Sequence, residues 1–164
     1  MKTKQFNYLI CGIAAVVLVA VGWYFLNQTI SRPALAEGRL EITESDYDFG
    51  VVGLAPVNHI YRVKNAGAGD ITIVKVATSC GCTTAQLRQG KRITPPIGMD
   101  HGNLPRVNFV LGAGEEMEVV AAYNPLAHGP ENAAGFFQRA IYLKTENPRA
   151  EYTLTFNVTV DTNK

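Results

Sequence analysis

Tyr152, Leu154, Phe156, Val158 and Val160 alternate with Thr153, Thr155, Asn157 and Thr159 without a break. A strict period of two places the apolar set on one face of a β-strand and the polar set on the other. The same signature recurs through much of the chain. Arg39 to Thr43 alternates, and so does His59 to Val63, which stops at Asn65-Ala66-Gly67. Asp70 to Thr78 carries Ile71, Ile73, Val74 and Val76, and its change of phase at Val74 predicts a bulge or a two-sided strand. Val107, Phe109 and Leu111 share a face before the Gly112-Ala113-Gly114 turn. Met117 to Tyr123 and Phe137 to Lys144 complete the set. Short strands separated by turn residues, with no amphipathic helix among them, predict an all-β sandwich.

Two stretches break this rhythm. Residues 88–105 contain Pro95-Pro96, Gly98, Gly102 and Pro105 and read as a long irregular loop. Residues 124–135 form a second irregular loop, with Pro125, Gly129 and Pro130.

The N-terminal part follows a different logic. Tyr8 to Leu26 runs without a charge. As a helix rising ~1.5 Å per residue, it approaches the ~30 Å hydrocarbon core of a bilayer. Tyr8 and Trp23-Tyr24 stand where interfacial aromatics belong, and Lys2 and Lys4 hold residues 1–7 on the cytoplasmic side. The expected organisation is a transmembrane helix over 8–26, a linker over 27–38 and an exported sandwich over 39–164. The rival reading is a signal peptide cleaved near Ala34-Leu35-Ala36. Its apolar run is long for that purpose, and the gap before the site is wide. Either reading exports the domain.

The chain has 164 residues and a formal net charge of +1, but beyond residue 36 acidic side chains outnumber basic ones. Arg88, Lys91 and Arg92 make one small basic group. That balance excludes a nucleic-acid footprint, which needs a clustered basic face. None of Ser31, Ser45 and Ser79 sits in a nucleophile elbow, and no glycine loop opens a helix to cradle phosphate.

Chemistry concentrates in Thr78-Ser79-Cys80-Gly81-Cys82-Thr83. The remaining cysteine, Cys11, lies in the apolar N-terminal run and reads as a small filler. On an extended strand Cys80 and Cys82 point to the same face, with Cα atoms roughly 6–7 Å apart. That separation is at the upper edge of disulfide geometry, so a bond would be strained and readily exchanged. Export favours its formation. Two same-face thiolates also make half a site for a soft ion such as copper(I) or zinc, with Met99 and His101 the best further ligands. A third reading is purely structural packing. His59 reads as a satisfied strand histidine and His128 as a turn residue.

Asp48-Phe49-Gly50, Asn65-Ala66-Gly67, Ile71-Thr72-Ile73, the cysteine box, Gly114-Glu115 and Thr145-Glu146-Asn147 occur in that order. This arrangement resembles the bacterial domain-of-unknown-function 1573 family, whose hallmark is a Ser-Cys-Gly-Cys-Thr box. The resemblance covers about residues 40–160. It implies an immunoglobulin-like sandwich of the chaperone and sperm-protein type, an exported domain and no established activity. The long loop 88–105 departs from the family pattern. The expected protein is thus a single-pass component of the bacterial inner membrane with residues 37–164 in the periplasm. Its expected role is that of a binding or scaffold module, an accessory or assembly subunit of a membrane complex, with no cofactor. The alternative is a thiol-redox or copper-handling protein that uses Cys80 and Cys82.

Overall fold

The computed structural model describes residues 16–24 and 36–164. The chain divides into two units, residues 1–34 and 35–164. In the first, residues 16–24 are helical, with Leu18 72 % and Trp23 68 % exposed. The expected span 8–26 thus has a helical middle, and its two ends lie outside the described residues. Among the described residues no helix is long and apolar enough to cross a membrane.

The second unit is an all-β sandwich of two five-stranded sheets. In the first sheet β1 (Leu40–Ile42), β3 (Val57–Asn65), β8 (Glu116–Tyr123), β5 (Thr83–Gln89) and β6 (Arg92–Ile93) lie side by side in that order. In the second the order is β2 (Asp46–Val52), β10 (Ala150–Val160), β9 (Gly135–Glu146), β4 (Ile71–Thr78) and β7 (Phe109–Leu111). All neighbours are antiparallel except β10 and β2, which run parallel. The alternation in β10 works as expected: Leu154, Phe156 and Val158 are fully buried between the sheets. They meet Tyr61, Val63, Leu87 and Val119 from the opposite sheet, all without solvent contact. The Tyr61 hydroxyl donates 2.6 Å across the core to the Thr155 carbonyl oxygen, so its polar end is satisfied where its ring is buried. Burial, reinforced by Asp46 and Glu44, raises the Tyr61 pKa and keeps the phenol protonated.

The phase change at Val74 is a bulge. The β4–β9 register shifts between Ile73 and Lys75, and the Val74 carbonyl turns out to accept from Val107 N–H at 3.0 Å. The expected boundaries shift at two places. The sandwich begins before residue 39, because the Glu37 carbonyl accepts from the amides of Ala68 and Gly69. The loop 88–105 is partly ordered by pairing: β5 runs to Gln89 and turns into β6, and Ile97 exchanges both backbone bonds with Ala85 at 2.8 Å. Met99 then bridges Thr78. The backbone polar groups of this proline-rich stretch are satisfied by lying along the sheets.

Asn65 organises the end where the chain enters the sandwich. Its side chain is fully buried and makes four bonds to backbone. Oδ1 accepts from Arg39 and Gly67 N–H, both at 3.0 Å; Nδ2 donates to the carbonyls of Gly69 at 2.8 Å and Leu111 at 2.9 Å. Only glycine fits at 69, since a Cβ there would overlap the Ala36 carbonyl oxygen. Asn65→Ala should therefore cost about 3 kcal/mol, because several buried backbone groups lose their partners. Chemical denaturation with an unchanged m-value would check this.

Asp100 fastens the later part of the loop 88–105, the strap of residues 94–105, to β4. It pairs with Lys75 and accepts from Gly102 N–H at 2.8 Å, and these contacts, the Lys75 bond first, hold its carboxyl below the ordinary carboxylate range. A carboxyl lowered by folding contributes stability above its unfolded pKa and loses it as pH falls through its folded value. Acidification below the ordinary carboxylate range should thus lower the protection of the Gly102 amide relative to its intrinsic exchange rate, and Asp100→Asn should remove that pH dependence.

Candidate functional site

The cysteine box is the turn that carries the chain from β4 in one sheet to β5 in the other. This corrects the strand geometry expected from sequence. Strand β4 ends at Thr78, and Thr83 N–H bonds back to the Cys80 carbonyl at 3.1 Å to close the turn. The turn brings the two Cα atoms to 5.3 Å, inside the ordinary disulfide range, and the cysteines are bonded to each other.

The hydroxyl residues of the box explain its rigidity. The buried Thr78 hydroxyl lies 3.0 Å from the carbonyl oxygens of both Cys80 and Thr83. Ser79 clips the turn to β9: its N–H donates to the Ala140 carbonyl and its Oγ accepts from Ala140 N–H, each at 2.9 Å. The Cys82 carbonyl accepts from Asn124 N–H at 2.9 Å, which fixes the turn to the end of β8.

The two sulfurs sit in different surroundings. Cys82 is 5 % exposed, whereas Cys80 is half-buried. His128 ends a single-turn 3-10 helix, Pro125–His128, whose N-cap Asn124 accepts from Leu126 N–H. That helix sets the imidazole Nε2 3.2 Å from the Cys80 sulfur. On the buried side, Arg139 of β9 directs its Nε–H at the Cys82 sulfur from 3.1 Å. The guanidinium also stands over the Phe137 ring at 4.9 Å and donates to the Gln138 carbonyl. Next to it, burial raises the pKa of Tyr123, opposed by the charge of Arg139. A Cβ at residue 81 would lie 4.0 Å from the His128 ring, so glycine there leaves the approach to Cys80 and His128 uncrowded.

Among the described residues Cys80, Cys82 and His128 are the group whose ligand atoms lie within 4.8 Å of one another. If the sulfurs were reduced, these three could hold a soft ion. Of the expected partners, His101 is not part of this group, and Met99 bridges Thr78 at the start of the turn. Met99 lines a groove with Lys75, Asp100 and Tyr142, and His101 is exposed on the strap. His59 is a satisfied strand histidine, stacked on Tyr47 at 3.6 Å and bonded to Glu44 at 3.0 Å. His128 does more than a turn residue. Arg139 escaped notice although β9 offered a signal: it shares the phase of Phe137, Ile141 and Leu143, and a charge on a core-facing phase requires a partner.

The described domain is an immunoglobulin-like β-sandwich bearing a Cys-Gly-Cys turn. Residues 40–96 match the model of a family described as "Protein of unknown function (DUF1573)", so the resemblance carried by the box is borne out over that span. His128 and Arg139 lie beyond it. In structure, the chain is similar to a protein of unknown function from Porphyromonas gingivalis W83, with a TM-score of 0.58 and 16% identity over 79% of this chain and 51% of that one. It is also similar to the Vibrio cholerae VesB protease, with a TM-score of 0.51 and 14% identity over 75% of this chain and 32% of that one. The chain thus spans about half of the first relative and a third of the second. The ASH/PapD-like domain 7 of human CEP192 matches with a TM-score of 0.47 and 10% identity, over 76% of this chain and 87% of that domain. No curated protein matches the sequence.

A staple that closes so small a loop adds little to the fold. The loop-entropy relation gives about 1.6 kcal/mol for a three-residue ring. The Thr78, Ser79 and Asn124 bonds hold the turn without it. Replacing both cysteines by serine should lower stability by no more than about 2 kcal/mol and leave the sheets intact, as checked by denaturation and by amide exchange in β4 and β5.

Proposed function

We propose that this chain is an exported binding module, anchored in the bacterial inner membrane by residues 8–26, that serves as an accessory or assembly subunit of a membrane protein complex. The observation that carries this reading is a row of side chains on the outer face of the second sheet. Val51, Thr159 and Phe136 stand side by side on β2, β10 and β9, with Val51 50 % and Phe136 66 % exposed. An exposed aromatic and an exposed aliphatic residue on either side of a threonine, set on neighbouring strands, are the chemistry of a protein contact. The exposed apolar side chains of the helix at 16–24 support the anchor, since such a surface calls for lipid or another helix as cover.

The immunoglobulin-like sandwich is consistent with this role but does not choose the partner. The test is native mass spectrometry of the full-length protein extracted gently from its own membrane. The expected result is a complex with other membrane subunits that Phe136→Ser weakens at least tenfold while the isolated protein keeps its unfolding temperature. A chain that runs alone in both forms would remove this reading.

A further inference from the structure

We propose that the Cys80–Cys82 disulfide is a thiol–disulfide exchange site whose substrate is an accessible dithiol on another exported protein. Placements on three elements, the turn, the short helix and β9, converge on it. Cys80 is half-buried, whereas Cys82 is buried. A base stands 3.2 Å from the Cys80 sulfur, and a fixed cation stands 3.1 Å from that of Cys82. Residue 81, between them, has no side chain to block approach. This division of labour is what exchange requires: an attackable sulfur, a proton acceptor beside it and a stabilised leaving group.

The step balances as follows. An incoming thiol gives its proton to His128 Nε2, and the resulting thiolate attacks the Cys80 sulfur. The Cys80–Cys82 bond breaks, and a mixed disulfide forms between Cys80 and the substrate. Cys82 departs as a thiolate and receives the charge-assisted bond from Arg139. The substrate's second thiol then attacks its own sulfur in the mixed disulfide, releasing its proton to solvent. Cys80 leaves and takes the proton held on His128. The substrate dithiol is oxidised to a disulfide, and the box is reduced by two electrons. A disulfide of a second exported protein restores the box through the reverse sequence.

The site also commits to a location. Gly38, where the chain enters, abuts Ile71 at one end of β4, and the box follows Thr78 at the other. At the strand rise, that places the sulfurs about 23 Å from the entry point. Leu126, 42 % exposed on the helix that carries His128, offers an apolar rest for the substrate segment. Copper(I) is the competing occupant of the reduced sulfurs. Arg139 argues against it, since a guanidinium on Cys82 claims a sulfur lone pair and opposes a second cation.

The inference does not depend on Phe136 docking a subunit. The test uses the full-length protein in detergent and a synthetic two-cysteine peptide, with each sulfur identified by peptide mass mapping so that Cys11 is not counted. The reduced peptide should convert the box to the dithiol under native conditions. In the reduced wild type, iodoacetamide should label Cys80 before Cys82. With the oxidised peptide, Cys82→Ser should accumulate a mixed disulfide at Cys80, and Cys80→Ser should not trap the peptide. His128→Gln and Arg139→Met should each slow exchange about tenfold or more, with Arg139→Lys partly restoring the rate at unchanged unfolding temperature. Should either variant fail to fold, the labelling order in the wild type still decides. A box that stays oxidised in the peptide until the protein unfolds, or equal labelling of both cysteines, overturns the proposal. So does a reduced protein that withdraws copper(I) from bicinchoninate while its exchange ignores His128 and Arg139.

Discussion

The architecture hangs on the side chain of Asn65. Two sheets joined by a hydrophobic core can still slide, because dispersion forces do not fix a register. Four directional bonds from one buried amide do fix it. They tie the start of β1, the turn after β3 and the end of β7 to a single point. β7 belongs to the opposite sheet, so the amide also joins the layers at that end. Tyr61 makes a second cross-layer bond in the middle of the core, to Thr155 of β10. At the far end the box makes a third connection, with Ser79 bonded to β9 and Cys82 bonded to the end of β8. The sandwich is therefore pinned at both ends and near its centre.

Much of this was legible in the order of residues. The clean alternation of β10 and β8 marks strands that are wet on one face, and there the period of two is undisturbed. Val74 declared its bulge because an extra apolar residue upset the phase. Strand β5 was less visible. Its core-facing positions are Thr83, Ala85 and Leu87, and only the last is strongly hydrophobic. Thr83 lies opposite Tyr123 and Ala85 opposite Ala121 on β8, and such cross-strand pairing is not written in the local sequence. Strand β2 was hidden for a related reason: it lies at the edge of its sheet, with Asp46, Asp48 and Gly50 exposed.

The candidate site shows the same limit. The cysteine pair announces itself by spacing, and the family match spans the box. Its partners come from distant parts of the chain and are assembled only by the topology. His128 arrives because a short helix folds back after β8, and Arg139 because β9 lies beside β4. The expected ligands Met99 and His101 were chosen for chemical type, but the strap's backbone pairing decides where they lie. Side-chain chemistry can be read locally, whereas proximity between loops is a property of sheet order.

The placement of the chain's entry has a mechanical consequence. A pull on Glu37 directed along β1 would load its pairing with β3, from Leu40 opposite Asn65 to Ile42 opposite Val63. That load falls on these rungs together, in shear, instead of opening them one after another. The Asn65 amide, bonded to Arg39 at the same point, shares it. A tug between this entry and the cysteine end of the sandwich would be transmitted lengthwise through the strands. The turn that holds the sulfurs, as the far point of attachment, would carry that load from the start.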